Sequence, residues 1–396
     1  MTQRQTILLA LATTCLGGMP VWLVSVYAPQ IVATYSLQTT TYGTLLGVFF
    51  LFSALTAVPV GRYVQEINWL SGVVWTALFS VLGLLFLAFL AEGLILLVLG
   101  LFIASWANSF SQTSANKGLA AHVPKALQGR AFGFKQAALP FSTLIVALTV
   151  PLFSTGDDWR FAFCLIALIS LIVGHVAVRL IKSQSFAIAL PLKKKPSPSV
   201  TNKGKHRTRS PRYLLFLAAG SGVATGATMS FVGFLVLFSV HIGLSPTEAA
   251  LVLTIGSCAG IVARISLGFV ADRLRSGHIR LVQMLMLGGA AGFGMLSIAN
   301  TAIFLAVGTF LGFAMGWAWN GIFHFVVVRS RPDSSAFFTG IIQAAMMTGA
   351  TLGPPIFGLL TEISYSTSWL FLAGAMLVSA MLVEKGYRLM PQIATQ

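Results

Sequence analysis

The chain has 396 residues, 56% of them apolar and only 9% charged, with a mean hydropathy of +0.87. A soluble domain carries about 25% charged residues, so this composition excludes that class and leaves a polytopic helical membrane protein. The net charge of +16 invites a nucleic-acid reading, but once the apolar spans are laid across a bilayer every one of the 25 Lys and Arg except Arg160 falls on the same side, the bias of a membrane protein and not of a nucleic-acid surface.

Windows of about 20 apolar residues predict spans over 7–31, 42–61, 69–90, 94–114, 131–153 and 159–181, then 213–240, 249–270, 281–299, 302–328, 337–360 and 366–383. The N-terminus imitates a signal peptide, but its apolar run continues past Pro20, and Ala12-Thr13-Thr14 before Cys15 is a poor lipoprotein cleavage site. It reads as an uncleaved first span. After Pro20, which should bend the helix, Trp22 and Tyr27 flank Ser25, placed to wall a cavity or to face lipid. The fourth span carries Asn108 and Gln112 four residues apart, hence on one helix face. The fifth has Lys135 and Gln136 a few residues inside one end.

Residues 182–212 carry nine Lys and Arg, several prolines and no acid. Such a stretch cannot be buried in a bilayer, so it links an N-terminal unit, 1–181, to a C-terminal unit, 213–396. In the second unit, Arg264 lies in the eighth span, Asn320 and His324 repeat the spacing of four in the tenth, and Gln343 lies in the eleventh ahead of Pro354-Pro355, which should break or bend that helix. The spacings Gly222-xxx-Gly226, Gly256-xxx-Gly260 and Gly312-xxx-Gly316 permit close helix contact. The three cysteines sit singly in separate spans, without metal-ligand spacing, and read as packing residues.

The units are related. Leu37 and Leu244, Gly61 and Gly268, and Gly133, Gln136, Ala137 and Ala138 with Gly340, Gln343, Ala344 and Ala345 all share the offset 207. Six spans per unit, an even number, makes this a duplication in one orientation. Twelve spans in two such units joined by a basic linker resemble the major facilitator superfamily of secondary transporters. Gly268-Phe269-Val270-Ala271-Asp272-Arg273 is similar to its Gly-x-x-x-Asp-Arg motif; the first copy, Gly61-Arg62-Tyr63-Val64-Gln65-Glu66, has Gln65 in place of the aspartate. The resemblance implies an all-α fold of two six-helix bundles, with Gly61, Arg62, Arg264, Gly268, Asp272 and Arg273 as a conformational latch and spans one, four, seven and ten around a central cavity.

All nine acids lie in loops or within a turn of a span end. An exporter of cations or a carboxylate proton relay places an acid near mid-membrane, where ionisable groups are kept for function. Lys135, Arg264 and His324 are the ionisable groups inside spans that point to an anion, although Lys135 and Arg264 also suit snorkelling or pairing with loop acids. His324 is the best candidate for titration, with a buried neutral histidine as the alternative. The substrate-site candidates are Trp22, Tyr27, Asn108, Gln112, Lys135, Gln136, Asn320, His324 and Gln343; the Asn and Gln pairs serve equally to bond helices together. The expectation is a monomeric, multi-pass transporter, in a bacterial inner membrane with both termini cytoplasmic. It would move a small anionic or neutral polar metabolite by alternating access, coupled to a proton or an exchanged anion. The alternative is an exporter of drugs or secreted metabolites. No phosphate-loop motif or metal-ligand spacing occurs in the sequence, so neither catalysis nor a cofactor is expected.

Overall fold

The structure, a computed structural model, describes residues 2–124, 127–153, 158–187, 212–274, 277–330 and 335–390. All regular elements among them are helical. The first predicted span is α1 (Gln3–Val26) followed by α2 (Ala28–Thr34), and the second to fourth are α3 (Thr39–Glu66), α4 (Trp69–Phe89) and α5 (Leu94–His122). The fifth is divided into α6 (Gln128–Gln136), α7 (Ala138–Ala147) and α8 (Val150–Phe153); the sixth is α9 (Trp159–Ala187). Then come α10 (Arg212–His241), α11 (Pro246–Arg273) and α12 (His278–Ser297). The tenth span is α13 (Ala302–Leu311), a π-helical segment over Gly312–Gly316, and α14 (Trp319–Ser330), and α15 (Ser335–Thr361) and α16 (Tyr365–Arg388) complete the chain. Among the described residues eleven helical stretches are long and apolar enough to cross a membrane. The twelfth crossing is α15, 27 residues without a charged side chain.

The helices continue at the prolines. α1 runs through Pro20 and α15 runs through Pro354 and Pro355 without interruption. Within the spans, helices end instead at Tyr27, at Ala137, at Leu148 and at Trp317. A membrane helix tolerates proline when packed neighbours and local adjustments satisfy the freed backbone groups. The Thr351 carbonyl, which Pro355 leaves without its helical donor, lies against Gly47 of α3. The last span runs past its apolar core to Arg388, and Ser364 caps its start, accepting from the Thr367 N–H at 3.0 Å.

Helix pairings in the first half recur six spans later. α1 packs on α7, as α10 packs on α15; α4 pairs with α5 and α9, as α12 pairs with α13 and α16; α3 lies on α5, as α11 lies on α13. Between the halves, α3 meets α15 and α11 meets α6 and α7, again related by the same exchange. The counterparts α1 and α10 are the innermost helices, each 78% buried along its apolar window against 33–56% for the other spans.

The halves are zipped together on the face away from the chain termini, here called distal. The Thr39 hydroxyl donates to the Gly358 carbonyl at 3.1 Å and accepts from the Thr361 hydroxyl at 2.7 Å. Thr40 donates to Glu362, and Tyr42 donates to the Gly233 carbonyl at 2.7 Å. Gly43 and Gly47 bring α3 against the carbonyls of Pro354 and Thr351, where a Cβ could not fit. Toward the terminal face the glycines of α3 and α15 make no such contact: a Cβ added at Gly340 meets nothing within 4 Å, and at Gly61 only the Thr113 methyl at 3.9 Å.

Candidate functional site

Four of the proposed polar residues, from four spans and both halves, converge. Lys135 is buried, 3% exposed, and its ammonium donates to the Gln112 side-chain oxygen at 2.6 Å. From the other half, His324 hydrogen-bonds the Gln343 side chain and lies within electrostatic reach of Lys135. Its Nδ1 is 3.0 Å from the Asn320 carbonyl. A carbonyl only accepts, so Nδ1 carries a proton. The Asn320 Oδ1 is buried without a partner.

Arg264 belongs to a second group. It lies one helical turn inside Gly268, 6% exposed, and Nη2 donates to the Trp317 carbonyl at 2.6 Å. The guanidinium stacks 4.7 Å from the Trp317 ring centroid. Trp317 in turn meets Trp22 of α1 edge to face, with centroids 5.5 Å apart. Three buried donors in this chain of contacts lack a partner: Arg264 Nη1, Trp317 Nε1 and Trp22 Nε1. Beside them, toward the terminal face, a cleft between α6 and α11 is lined by Arg130, Gly133, Phe134, Arg264, Gly268 and Phe269.

Both cations adjoin broken helices. Lys135 precedes the α6–α7 break by two residues, and the carbonyl that Arg264 uses is at the break after the π segment. The Ala137 boundary is slight, since its N–H still bonds the Gly133 carbonyl at 3.1 Å, whereas a π segment is a frequent feature of functional sites. Neither partner described for Lys135 or Arg264 is an acid. Arg264 stands eight residues from Asp272 along α11, or about 12 Å, and the fifth span carries no acid. A buried cation without a counter-ion is costly unless an anion joins it.

Other candidates lie elsewhere. The Tyr27 hydroxyl is 2.8 Å from that of Thr149, tying α1 to the fifth span. Asn108 donates to the Ser53 hydroxyl at 3.2 Å inside the first half, which is the helix-bonding alternative. Gln136 is displaced from Lys135 by about 100° around the helix and does not share its face. Of the latch residues, Gly268 faces open space and Gly61 nearly so, while Arg62 and Arg273 are exposed. The Asp272 side chain lies outside those described. By contrast, Gly226 packs on the backbone of Gly349 and Gly353, Gly256 on Phe313, and Gly316 on Gly289, so the three glycine spacings are true contacts. Sequence reasoning missed Trp317, whose signal was a large ring beside a glycine-rich run, three residues ahead of Asn320. It also missed Lys117, which donates to the carbonyls of Val64, Gln65 and Ile67 at 2.8, 3.0 and 2.6 Å.

Comparison with known proteins decides the family. A family model described as Major Facilitator Superfamily matches residues 10–326. The chain belongs to the major facilitator superfamily. Among curated relatives, monocarboxylate transporter 12 of Xenopus laevis is 27% identical over 244 residues, covering 56% of this chain and 52% of that protein. The match thus spans about half the length of that relative. Among solved structures, a bacterial homologue of the human lysosomal transporter Spinster, inward-facing and unoccupied, aligns at TM-score 0.69 with 14% identity, covering 98% of this chain and 96% of that one. FucP in the outward conformation aligns at TM-score 0.66 with 16% identity, covering 96% and 98%. These structural likenesses carry the fold, that of multi-pass superfamily transporters.

Proposed function

We propose that this superfamily member carries a small anion across a bacterial inner membrane by alternating access, with the basic, terminal face in the cytoplasm. The two halves, 1–181 and 213–396, rock about the central groups while the linker 182–212 tethers them. The observation that carries this is the desolvated Arg264 at the junction of the halves, whose Nη1 has no partner and which bonds no acid among the described residues. Lys135, the second buried cation, adds to the same preference. The monocarboxylate transporter among the relatives favours a carboxylate as the anion. Orientation follows from the one-sided Lys and Arg distribution.

The test is uptake into proteoliposomes of radiolabelled carboxylates and of tetraphenylphosphonium. Saturable carboxylate uptake that falls at least tenfold in Arg264→Gln is expected; a guanidinium–carboxylate contact at a dry site is worth at least that factor. Saturable uptake of the cation in place of carboxylates would instead establish a drug-type exporter.

A further inference from the structure

Resting on that transport reading, we propose that Trp22 and Trp317 select the substrate: a monocarboxylate whose body is apolar, an aryl or short alkyl group, with hydroxylated and doubly charged acids rejected. The donors carry the first half of the selection. Arg264 Nη1, Trp317 Nε1 and Trp22 Nε1 are all buried without partners and belong to one chain of contacts, 4.7 Å from guanidinium to indole and 5.5 Å from indole to indole. All three only donate, so the complement is a group that only accepts. An ionised carboxylate does this with about four lone-pair sites on two oxygens. Lys135 is bonded to Gln112 in the separate polar group, so Arg264 is the cation of this chain of contacts, and one guanidinium balances one negative charge, which favours a monoanion over a dianion.

The walls carry the second half. Trp22 packs on Phe50 at 6.5 Å and Trp317 on Phe313 at 5.5 Å, so the surroundings of the donors are hydrocarbon rings. A substrate hydroxyl brought against them loses its water and gains no acceptor, which costs far more than an added methylene gains. Trp159, Trp319 and Trp369 also bury unpartnered N–H groups, but each stacks inside its own half, on Phe163, Phe323 and Phe357. The Trp22–Trp317 contact is different because it joins α1 to the broken tenth span across the junction of the halves. The π segment at Gly312–Gly316 re-aims that span just before Trp317, as such segments often do at functional sites.

The experiment uses the full chain in proteoliposomes, with [14C]phenylacetate and [14C]butyrate as probes and lactate, glycerate and succinate as competitors. Trp22→Phe and Trp317→Phe keep a ring and delete the N–H. Each is expected to raise the half-saturation concentration for phenylacetate about tenfold, the worth of a hydrogen bond to a charged group, with maximal rate and thermal stability retained. Lactate and glycerate are expected to compete at least tenfold more weakly than butyrate. If carboxylates are carried but both variants keep the wild-type half-saturation value, or lactate or succinate outcompetes butyrate, the selection is not made by these indoles. If no carboxylate is carried at all, the transport reading fails and this inference falls with it.

Discussion

At the end of α3, where the repeat leads one to expect an aspartate, Gln65 stands, and Lys117 of α5 reaches across to three terminal carbonyls. A cation there satisfies orphan acceptors and opposes the negative end of the helix dipole. Lys117→Met should therefore lower stability by about 1–3 kcal/mol, read as a drop in melting temperature in detergent; an unchanged melting temperature would mean that water caps the helix equally well. The glycines divide in the same residue-by-residue way. A Cβ at Gly353 would lie 2.6 Å from Gly226 Cα, whereas at Gly268 it would touch nothing. Gly353→Ala is expected to cost about 1–3 kcal/mol through overpacking and Gly268→Ala less than about 0.5 kcal/mol, so similar melting shifts for the two would contradict the geometry. Gln112, Lys135, His324 and Gln343 were legible in the sequence because a polar group inside an apolar span is conspicuous and costly. Their division into a polar cluster and an Arg264–Trp317–Trp22 cluster was not, since it depends on contacts across 53 and 295 residues (264 to 317, 22 to 317).

Among the elements, hydropathy gave the twelve spans and nearly all their ends, because bilayer thickness fixes the length of an apolar run. It placed a break or bend at Pro354-Pro355, where the helix runs on. Pro354 and Pro355 pack in the α3–α15 seam, whereas the interruption of the tenth span falls in Gly-Phe-Ala-Met-Gly, which contains no proline. Packing and not backbone chemistry decides this: Phe231 lies where a side chain at Gly312 would be. The distal seam leads to a prediction of its own. The buried Tyr42 hydroxyl bonds α3 to the Gly233 carbonyl of α10, and its ring meets Phe234 at 5.0 Å. Tyr42→Phe keeps the ring and removes the bond, weakening the closed distal seam by about 1 kcal/mol, a roughly fivefold shift toward the distally open form. Labelling of a cysteine placed at Thr39 by a membrane-impermeant maleimide should quicken by that factor. An unchanged labelling rate would show that the hydroxyl bond does not hold the seam.

For the whole molecule, the duplication links the seam seen closed with one seen open. Exchanging the halves maps α3 onto α11 and α15 onto α6, so the terminal pair Gly61 and Gly340 corresponds to Gly268 and Gly133. All four lack close neighbours in this structure, while Gly43, Gly47 and Gly358 at the distal ends of α3 and α15 are packed on backbone. If the halves rock as rigid bodies, the distal glycines separate and the terminal ones become the contacts of the opposite state, since only glycine lets backbones approach that closely. A Gly61→Cys/Gly340→Cys chain, with native cysteines replaced by serine, tests this by mild oxidation in membranes. A disulfide requires Cα atoms within about 7 Å, and in the present state neither glycine packs on the other. The expected result is a bond that forms slowly, abolishes transport, exposes a distal cysteine to label, and is reversed by reductant. A chain that never cross-links, or that transports normally once cross-linked, would show that α3 and α15 do not exchange one glycine seam for the other.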